Sequence, residues 1–201
     1  MPLQPCSLPN VPCVVLAGGK SRRFGADKSL ATLNGHTLLN LMVARLREQT
    51  SGPIAVNSPR SSGKEARSSK IVPDIIGDQL GPLAGIHAAM IWAENNNFEY
   101  VATVPVDTPL LPDSFLEQLL NSGAPAVAKY NERLHPLHSL WPVKLASELE
   151  VSIKNGMRAA QAWAEACNAI HCRFDTEPHN DPFLNVNTPQ DLIKAVKYFE
   201  S

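Results

Sequence analysis

The chain has 201 residues, 18 basic and 19 acidic, and a net charge of −1, so no overall field draws it to nucleic acid or an anionic membrane. Its hydrophobic fraction of 44% is that of an ordinary globular protein with one sizeable core, and no apolar run approaches the roughly 18 residues of a membrane span. Four cysteines, Cys6, Cys13, Cys167 and Cys172, do not make a disulfide framework at this length and suit a reducing cytoplasm. Residues 1–10 hold three prolines, no lysine or arginine and no secretory apolar stretch. They read as a flexible lead-in to a single domain over residues 11–201.

The first element carries the strongest signal. Cys13, Val14, Val15 and Leu16 follow one another without polar alternation, which predicts a strand buried on both faces of a parallel sheet. Ala17-Gly18-Gly19 ends it, and glycines there let the backbone turn sharply and meet a ligand directly. Lys20, Arg22, Arg23 and Lys28 follow, with Asp27 the only acid among them. A glycine turn at the carboxyl end of a buried first strand, followed by cations, is where an open α/β sheet holds a phosphorylated ligand. The loop is neither a P-loop, since Gly25 is followed by Ala26-Asp27, nor the dinucleotide fingerprint, since Gly18 and Gly19 are adjacent.

From Leu16 to Lys28 the segment LAGGKSRRFGADK resembles the signature loop of the molybdenum cofactor guanylyltransferases, within the wider nucleotidyltransferase superfamily. The departures are small: Phe24 for the commoner methionine, and a spacing from Gly25 to Lys28 one residue shorter than in some relatives. The resemblance implies a GTP site in which Leu16, Ala17, Gly18, Gly19 and Lys28 hold the nucleotide and its phosphates, with Arg22 and Lys28 also serving catalysis.

Further along, Leu33-Asn34-Gly35-His36 reads as a turn, and Thr37 caps a helix to about Gln49 with the apolar stripe Leu38, Leu39, Met42, Leu46. Arg45, Arg47 and Glu48 are expected to face water. Residues 53–57 predict a buried strand ending at Asn57, which the resemblance assigns to the nucleotide. Residues 58–70 read as an irregular helix or surface loop. A short strand then ends at Asp74, which the resemblance places near the base or ribose, and Asp78 stands in the next loop. Gly81-Pro82-Leu83-Ala84-Gly85 opens a helix to about Asn95, with Pro82 favourable at its first position. The family shares this GPLAG segment, and Gly81 counts with the nucleotide contacts.

Residues 100–106 predict another buried strand, ending at Asp107. A carboxylate at the end of a central strand beside the cation loop is placed to ligate Mg²⁺ on a nucleotide, so Asp107 is the metal, nucleotide and catalytic candidate. Asp113 is expected to cap the next helix, over residues 114–120. A strand over residues 124–129 leads to the His135-Pro136 pair, a family trait on the acceptor side. His135 and Arg133 are the acceptor candidates there, with His138 a lesser one. Residues 142–149 and 156–166 read as helices, with Arg158 on the second. If residues 168–174 form a strand, His171 and Cys172 point to opposite faces, which argues against zinc among Cys167, His171, Cys172 and His179.

Leu184-Asn185-Val186-Asn187-Thr188-Pro189 matches the family's C-terminal signature. Thr188 is a helix N-cap with Pro189 in the first turn and Leu192, Val196 and Phe199 as its apolar stripe. Asn185 and Asn187 share a face on an extended segment. The resemblance sets both beside the acceptor and the metal-nucleotide region.

Together these elements predict a three-layer α/β/α sandwich around a mostly parallel, Rossmann-like sheet of the nucleotidyltransferase type. The implied reaction transfers GMP from GTP to the terminal phosphate of molybdopterin, with Mg²⁺ as cofactor, in a cytoplasmic monomer that engages neither nucleic acid nor membrane. Transient contact with cofactor-insertion or acceptor enzymes is the one protein partnership the resemblance suggests. The alternatives are a cytidylyltransferase, whose loop usually reads LAAG, another phospho-acceptor nucleotidyltransferase, or a GTP-binding protein without turnover.

Overall fold

The computed structural model describes residues 7–18, 32–33, 35–58, 69–77, 80–174, 181–188, 190–191 and 194–195. The apolar run becomes Cys13–Leu16 (β1), buried throughout. Side chains alternate across a strand. Cys13 and Val15 therefore join one apolar layer, and Val14 and Leu16 the other.

β1 lies between Ile54–Asn57 (β4) and Tyr100–Pro105 (β6), parallel to both. Lys70–Val72 (β5) extends the sheet beyond β4. On the other side Arg133–Pro142 (β8) pairs antiparallel with β6, followed by Ala126–Tyr130 (β7) and Ile170–Arg173 (β9). The order is β5-β4-β1-β6-β8-β7-β9, and β8 alone runs against the rest. A small hairpin of Thr32–Leu33 (β2) and His36–Thr37 (β3) stands apart, with Gly35 in its turn.

Helices cover both faces. Leu38–Arg47 (α1) and Phe115–Ser122 (α3) pack on the Cys13/Val15 side, together with Phe183, Val186 and Ala195. Pro82–Glu94 (α2), Ala146–Lys154 (α4) and Ala160–Ala166 (α5) pack on the Val14/Leu16 side. The architecture is therefore the expected α/β/α sandwich with a mixed, mainly parallel sheet. Among the described residues no helix is long and apolar enough to cross a membrane.

Local chemistry explains the helix ends. Thr37 caps α1, its hydroxyl accepting from the Asn40 N–H at 3.2 Å. α2 starts after Gly81, whose φ of +84° favours glycine, and Pro82 takes the first turn. α2 is buried on nearly every side because α4 covers the face turned away from the sheet.

Several expectations need correction. α3 begins after Ser114, not Asp113, and Asp113 instead pairs with Arg45 Nη1 at 2.7 Å. Arg45 therefore ties α1 to the loop before α3, reaching the Leu111 carbonyl at 3.3 Å as well, rather than facing open water. The segment after β8 is a 3₁₀ turn, Val143–Leu145, and the helix proper runs five residues beyond the expected end at Leu149, to Lys154. Arg158 lies before α5, not on it, and donates to the Ile153 and Met157 carbonyls at 2.7 Å each, closing the end of α4.

The largest departure is β8. His135-Pro136 lies inside a ten-residue strand rather than ahead of one. On β7, Val127 pairs with Ser139 but Ala128 pairs with His135, leaving Pro136, Leu137 and His138 bulged out of register. Pro136 has no N–H for the ladder, which is why the strand breaks step there. Thr103 Oγ1 satisfies the freed Leu137 carbonyl at 2.9 Å and meets Ser139 Oγ at 2.8 Å. In a regular strand residues three apart face opposite ways. The bulge turns His135 and His138 to the same side, with ring centroids 5.8 Å apart.

Candidate active site

Ligands of open α/β sheets sit over the carboxyl ends of the strands. β1 and β4 end together there. The Ala17 N–H donates to the Asn57 carbonyl at 2.9 Å, and the Val106 N–H to the Leu16 carbonyl at 3.1 Å. Leu16, Ala17 and Asn57 are buried, and Gly18 is exposed at the rim.

The Asn57 side chain is already engaged. Its Nδ2 donates to the Val72 carbonyl at 3.0 Å and to Asp74 Oδ1 at 2.8 Å. Its Oδ1 is roofed by α2: a Cβ on Gly85 would stand 2.5 Å from it. A glycine is therefore required for the GPLAG helix to close on the strand end. Asn57 thus joins β4, β5, Asp74 and α2, while the Asp74 carboxylate stays exposed.

Because β8 runs opposite to β6, its amino end reaches the same edge. Ser139 pairs with Thr103, so Arg133 and His135 approach the rim as β6 runs on to Asp107. Asp107 is partly exposed. Its carbonyl accepts from the Val186 N–H at 2.7 Å. The Asn185 amide, with its nitrogen turned to the carboxylate, donates to Asp107 Oδ2 at 2.5 Å and Oδ1 at 3.1 Å. The opposite orientation would set oxygen against oxygen, which decides the assignment. Asn185 and Asn187 are exposed, with Val186 buried between them, as an extended segment requires.

The C-terminal segment is held twice. Asp191 Oδ2 accepts from the Thr188 N–H and hydroxyl at 2.9 Å each and from the Asn187 N–H at 3.0 Å. Thr188 Oγ1 in turn accepts from the Asp191 N–H at 3.2 Å, a reciprocal cap. The Thr188 hydroxyl, then the backbone donors, hold the Asp191 carboxyl below the ordinary carboxylate range. Upstream, Phe183 packs on His135 and His138, with centroids 4.6 Å from each.

His138 is fully enclosed. Its Nε2 lies 2.8 Å from Thr108 Oγ1, which also reaches the Pro105 carbonyl at 3.2 Å. The threonine's one proton goes to that carbonyl, so Nε2–H donates to Thr108. Burial holds the His138 ring well below its ordinary value of 6.5, and the neighbouring His135 pushes the same way. Burial also lowers His135, against Asp181 and with Arg133. Both rings are neutral at pH 7. Burial pushes the Cys13 thiol up to about 12, so it is no nucleophile. On β9 His171 is exposed and Cys172 buried, on opposite faces.

A model of the MobA-like NTP transferase domain matches residues 13–170. The chain belongs to the MobA-like NTP transferase family. Similar proteins include the molybdenum cofactor guanylyltransferases of Rhizobium leguminosarum bv. trifolii and Rhizobium meliloti. They are 36% and 40% identical, over 94% and 92% of this chain and 92% and 89% of their own. Among solved structures, a molybdopterin-guanine dinucleotide biosynthesis protein A from Archaeoglobus fulgidus superposes with a TM-score of 0.74 at 25% identity. The match spans 94% of this chain and 99% of that one.

In this MobA-like chain Leu16, Ala17, Gly18, Asn57 and Asp74 gather at the β1–β4 edge, and Gly81 caps the start of α2 beside the Arg158 carbonyl. Asp107, Asn185, Arg133 and His135 stand along the β6–β8 edge. Gly19, Lys20, Arg22, Arg23, Asp27, Lys28, Asp78 and His179 lie outside the described residues, as do Pro189, Leu192, Val196, Phe199 and most of residues 58–70. Sequence reasoning passed over Thr108 and Asp191. Asp191 was readable as the partner three residues after a capping threonine. Thr108 had no local signal, because its partner comes from a bulge 30 residues away.

Proposed function

We propose that this protein transfers GMP from GTP to the terminal phosphate of molybdopterin, with or without bound molybdenum. The observation that carries the reading is the contact between Asn185 and Asp107, which brings the C-terminal signature to the strand-end carboxylate. The named guanylyltransferase relatives support the choice of donor and acceptor.

In this reading an acceptor phosphate oxygen attacks the α-phosphorus of GTP in line. A new phosphoanhydride bond forms, the bond to the β-phosphate oxygen breaks, and pyrophosphate leaves with the electron pair. The attacking oxygen is already anionic, so no base and no covalent intermediate is needed, and catalysis is positioning plus charge stabilisation. Gly18, Gly19, Arg22 and Lys28 would cradle the phosphates. Asn57, Asp74 and Gly81 would form the nucleoside side. Arg133, His135, Asn185 and Asn187 would face the acceptor.

Asp107 would hold Mg²⁺. A single partly exposed carboxylate fits that ion, which takes one or two carboxylates plus substrate phosphates rather than an all-protein cage. Among the described residues no three His, Cys, Asp or Glu side chains converge into such a cage. When bound, the ion neutralises triphosphate charge and so lessens the repulsion between two anions.

The test is pyrophosphate release with Mg²⁺ and either GTP or CTP, each with and without molybdopterin. Release with GTP and the pterin together is the expected result. Release only with CTP would overturn the base assignment, and binding of Mg-GTP without release under any condition would overturn the acceptor.

A further inference from the structure

We propose that His138 is a positioning residue for the Asp107 carboxylate, acting through both chain segments that hold it. The inference rests on the reading of Asp107 as the metal-holding group. On one side, Thr108 follows Asp107 directly, and its hydroxyl takes the His138 Nε2–H at 2.8 Å while reaching the Pro105 carbonyl at 3.2 Å. That pair ties the turn from Pro105 to Thr108 to strand β8. On the other side, the Phe183 ring lies 4.6 Å from the His138 ring. Two residues on, the Asn185 amide meets the Asp107 carboxylate, and the next N–H, from Val186, meets the Asp107 carbonyl.

One buried imidazole therefore touches both the turn that carries Asp107 and the segment that grips it. The ring has little room to move. Phe115 stands edge-on at 6.1 Å and His135 at 5.8 Å. The Pro136 bulge is what turns it toward this edge.

An apolar ring would fill the same volume. It would also spare the protein the His138 Nδ1, which is buried without a partner among the described residues. What the imidazole adds is a donor to the residue beside Asp107. His138 holds the residues on either side of the carboxylate rather than the carboxylate itself, and the loss of groups that orient a metal-holding side chain typically weakens metal affinity.

The test measures GTP affinity by calorimetry in excess Mg²⁺ and in EDTA, without acceptor, so that no turnover intervenes. The readout is the gain in affinity that Mg²⁺ supplies. His138→Phe keeps the ring and removes the donor, and Thr108→Val removes the acceptor at constant shape. Each is expected to cut the Mg²⁺ gain about tenfold while metal-free affinity stays within about twofold of wild type. The double variant is expected to lose no more than either single one, since both break the same link. Asp107→Asn, in parallel, should abolish the gain. A full gain in His138→Phe beside a lost gain in Asp107→Asn would overturn the positioning role alone. An intact gain in Asp107→Asn would overturn the metal assignment and this inference with it. Should His138→Phe fail to fold, Thr108→Val breaks the same hydrogen bond, and a full gain there would overturn the positioning role equally.

Discussion

The two halves of the sheet reach the same edge by different routes. On the β5-β4-β1-β6 side every strand is parallel, so the carboxyl ends of all four strands lie on one edge. There the fixed polar group, Asn57, links neighbouring strand ends and is roofed by glycine. On the β8-β7-β9 side one reversed strand, broken at Pro136, brings two histidines under the C-terminal signature. The first half builds its rim from backbone and a buried amide. The second builds it from packed rings that hold exposed asparagines above them. Parallel strands bring their carboxyl ends to one edge by topology alone, whereas on the reversed strand it is the break at Pro136 that sets His135 and His138 on the same side.

The largest effect should fall where the halves meet. Asp107→Asn is expected to leave thermal unfolding nearly unchanged and to slow pyrophosphate release by at least about 10²-fold, the low end for a lost electrostatic contact at a reacting centre. Wild-type turnover would separate the two halves chemically.

The parallel half should break at Gly85. Gly85→Ala puts a methyl against Asn57 Oδ1 and should cost about 1–3 kcal/mol in urea unfolding, as overpacking does. Asn57→Ala alone removes the hydrogen bonds to the Val72 carbonyl and to Asp74. In combination it also removes the clash, so the double variant should be more stable than the sum of the two changes predicts. Simple additivity would show that the helix adjusts by another route.

Acid should weaken both faces together. His87, under α4, has its pKa lowered mainly by burial, against Glu150 and with Lys154, and His135 and His138 are lowered mainly by burial on the other face. Each native ring prefers to be neutral, while the unfolded chain takes up a proton near the ordinary value of 6.5. Their contribution is therefore present above that value and lost as pH falls below it. The melting temperature should drop from pH 7 to pH 5, and His87→Phe should remove part of that drop. An unchanged drop in the variant would exonerate His87.

The smallest effect belongs to the C-terminal cap. Thr188→Ala should cost about 1 kcal/mol, the usual loss of a capping hydroxyl. It should also reduce the acid sensitivity that Asp191 contributes below the ordinary aspartate range, since the Thr188 hydroxyl is the leading cause of its lowered pKa. A differential melt across pH 3 to 7 reads both.

Much of this molecule is legible in one dimension. Continuous apolar runs at Cys13–Leu16 and at residues 54–56 specify strands buried on both faces, and the stripe from Leu38 to Leu46 with its Thr37 cap specifies a surface helix. Those signals are local, since period and capping depend on residues within one turn or one strand. The Gly-Pro start of α2 and the Thr188 cap are local in the same sense. Tertiary contacts decided the rest. Asp113 turned from a cap into a partner for Arg45, 68 positions away. His138 turned from a side note on a strand into the ring that joins Thr108 to Phe183, because a missing N–H at Pro136 shifted the register of β8. The contact of Asn185 with Asp107 joins segments far apart in the chain and leaves no trace in either residue's neighbourhood. Sequence alone determined where most strands and helices fall and which chemical groups the strand ends carry, while the extent of β8 and the 3₁₀ turn before α4 waited on the fold. Only the folded chain decided which of those groups meet, because pairing across a sheet is set by the register and direction of strands distant in sequence.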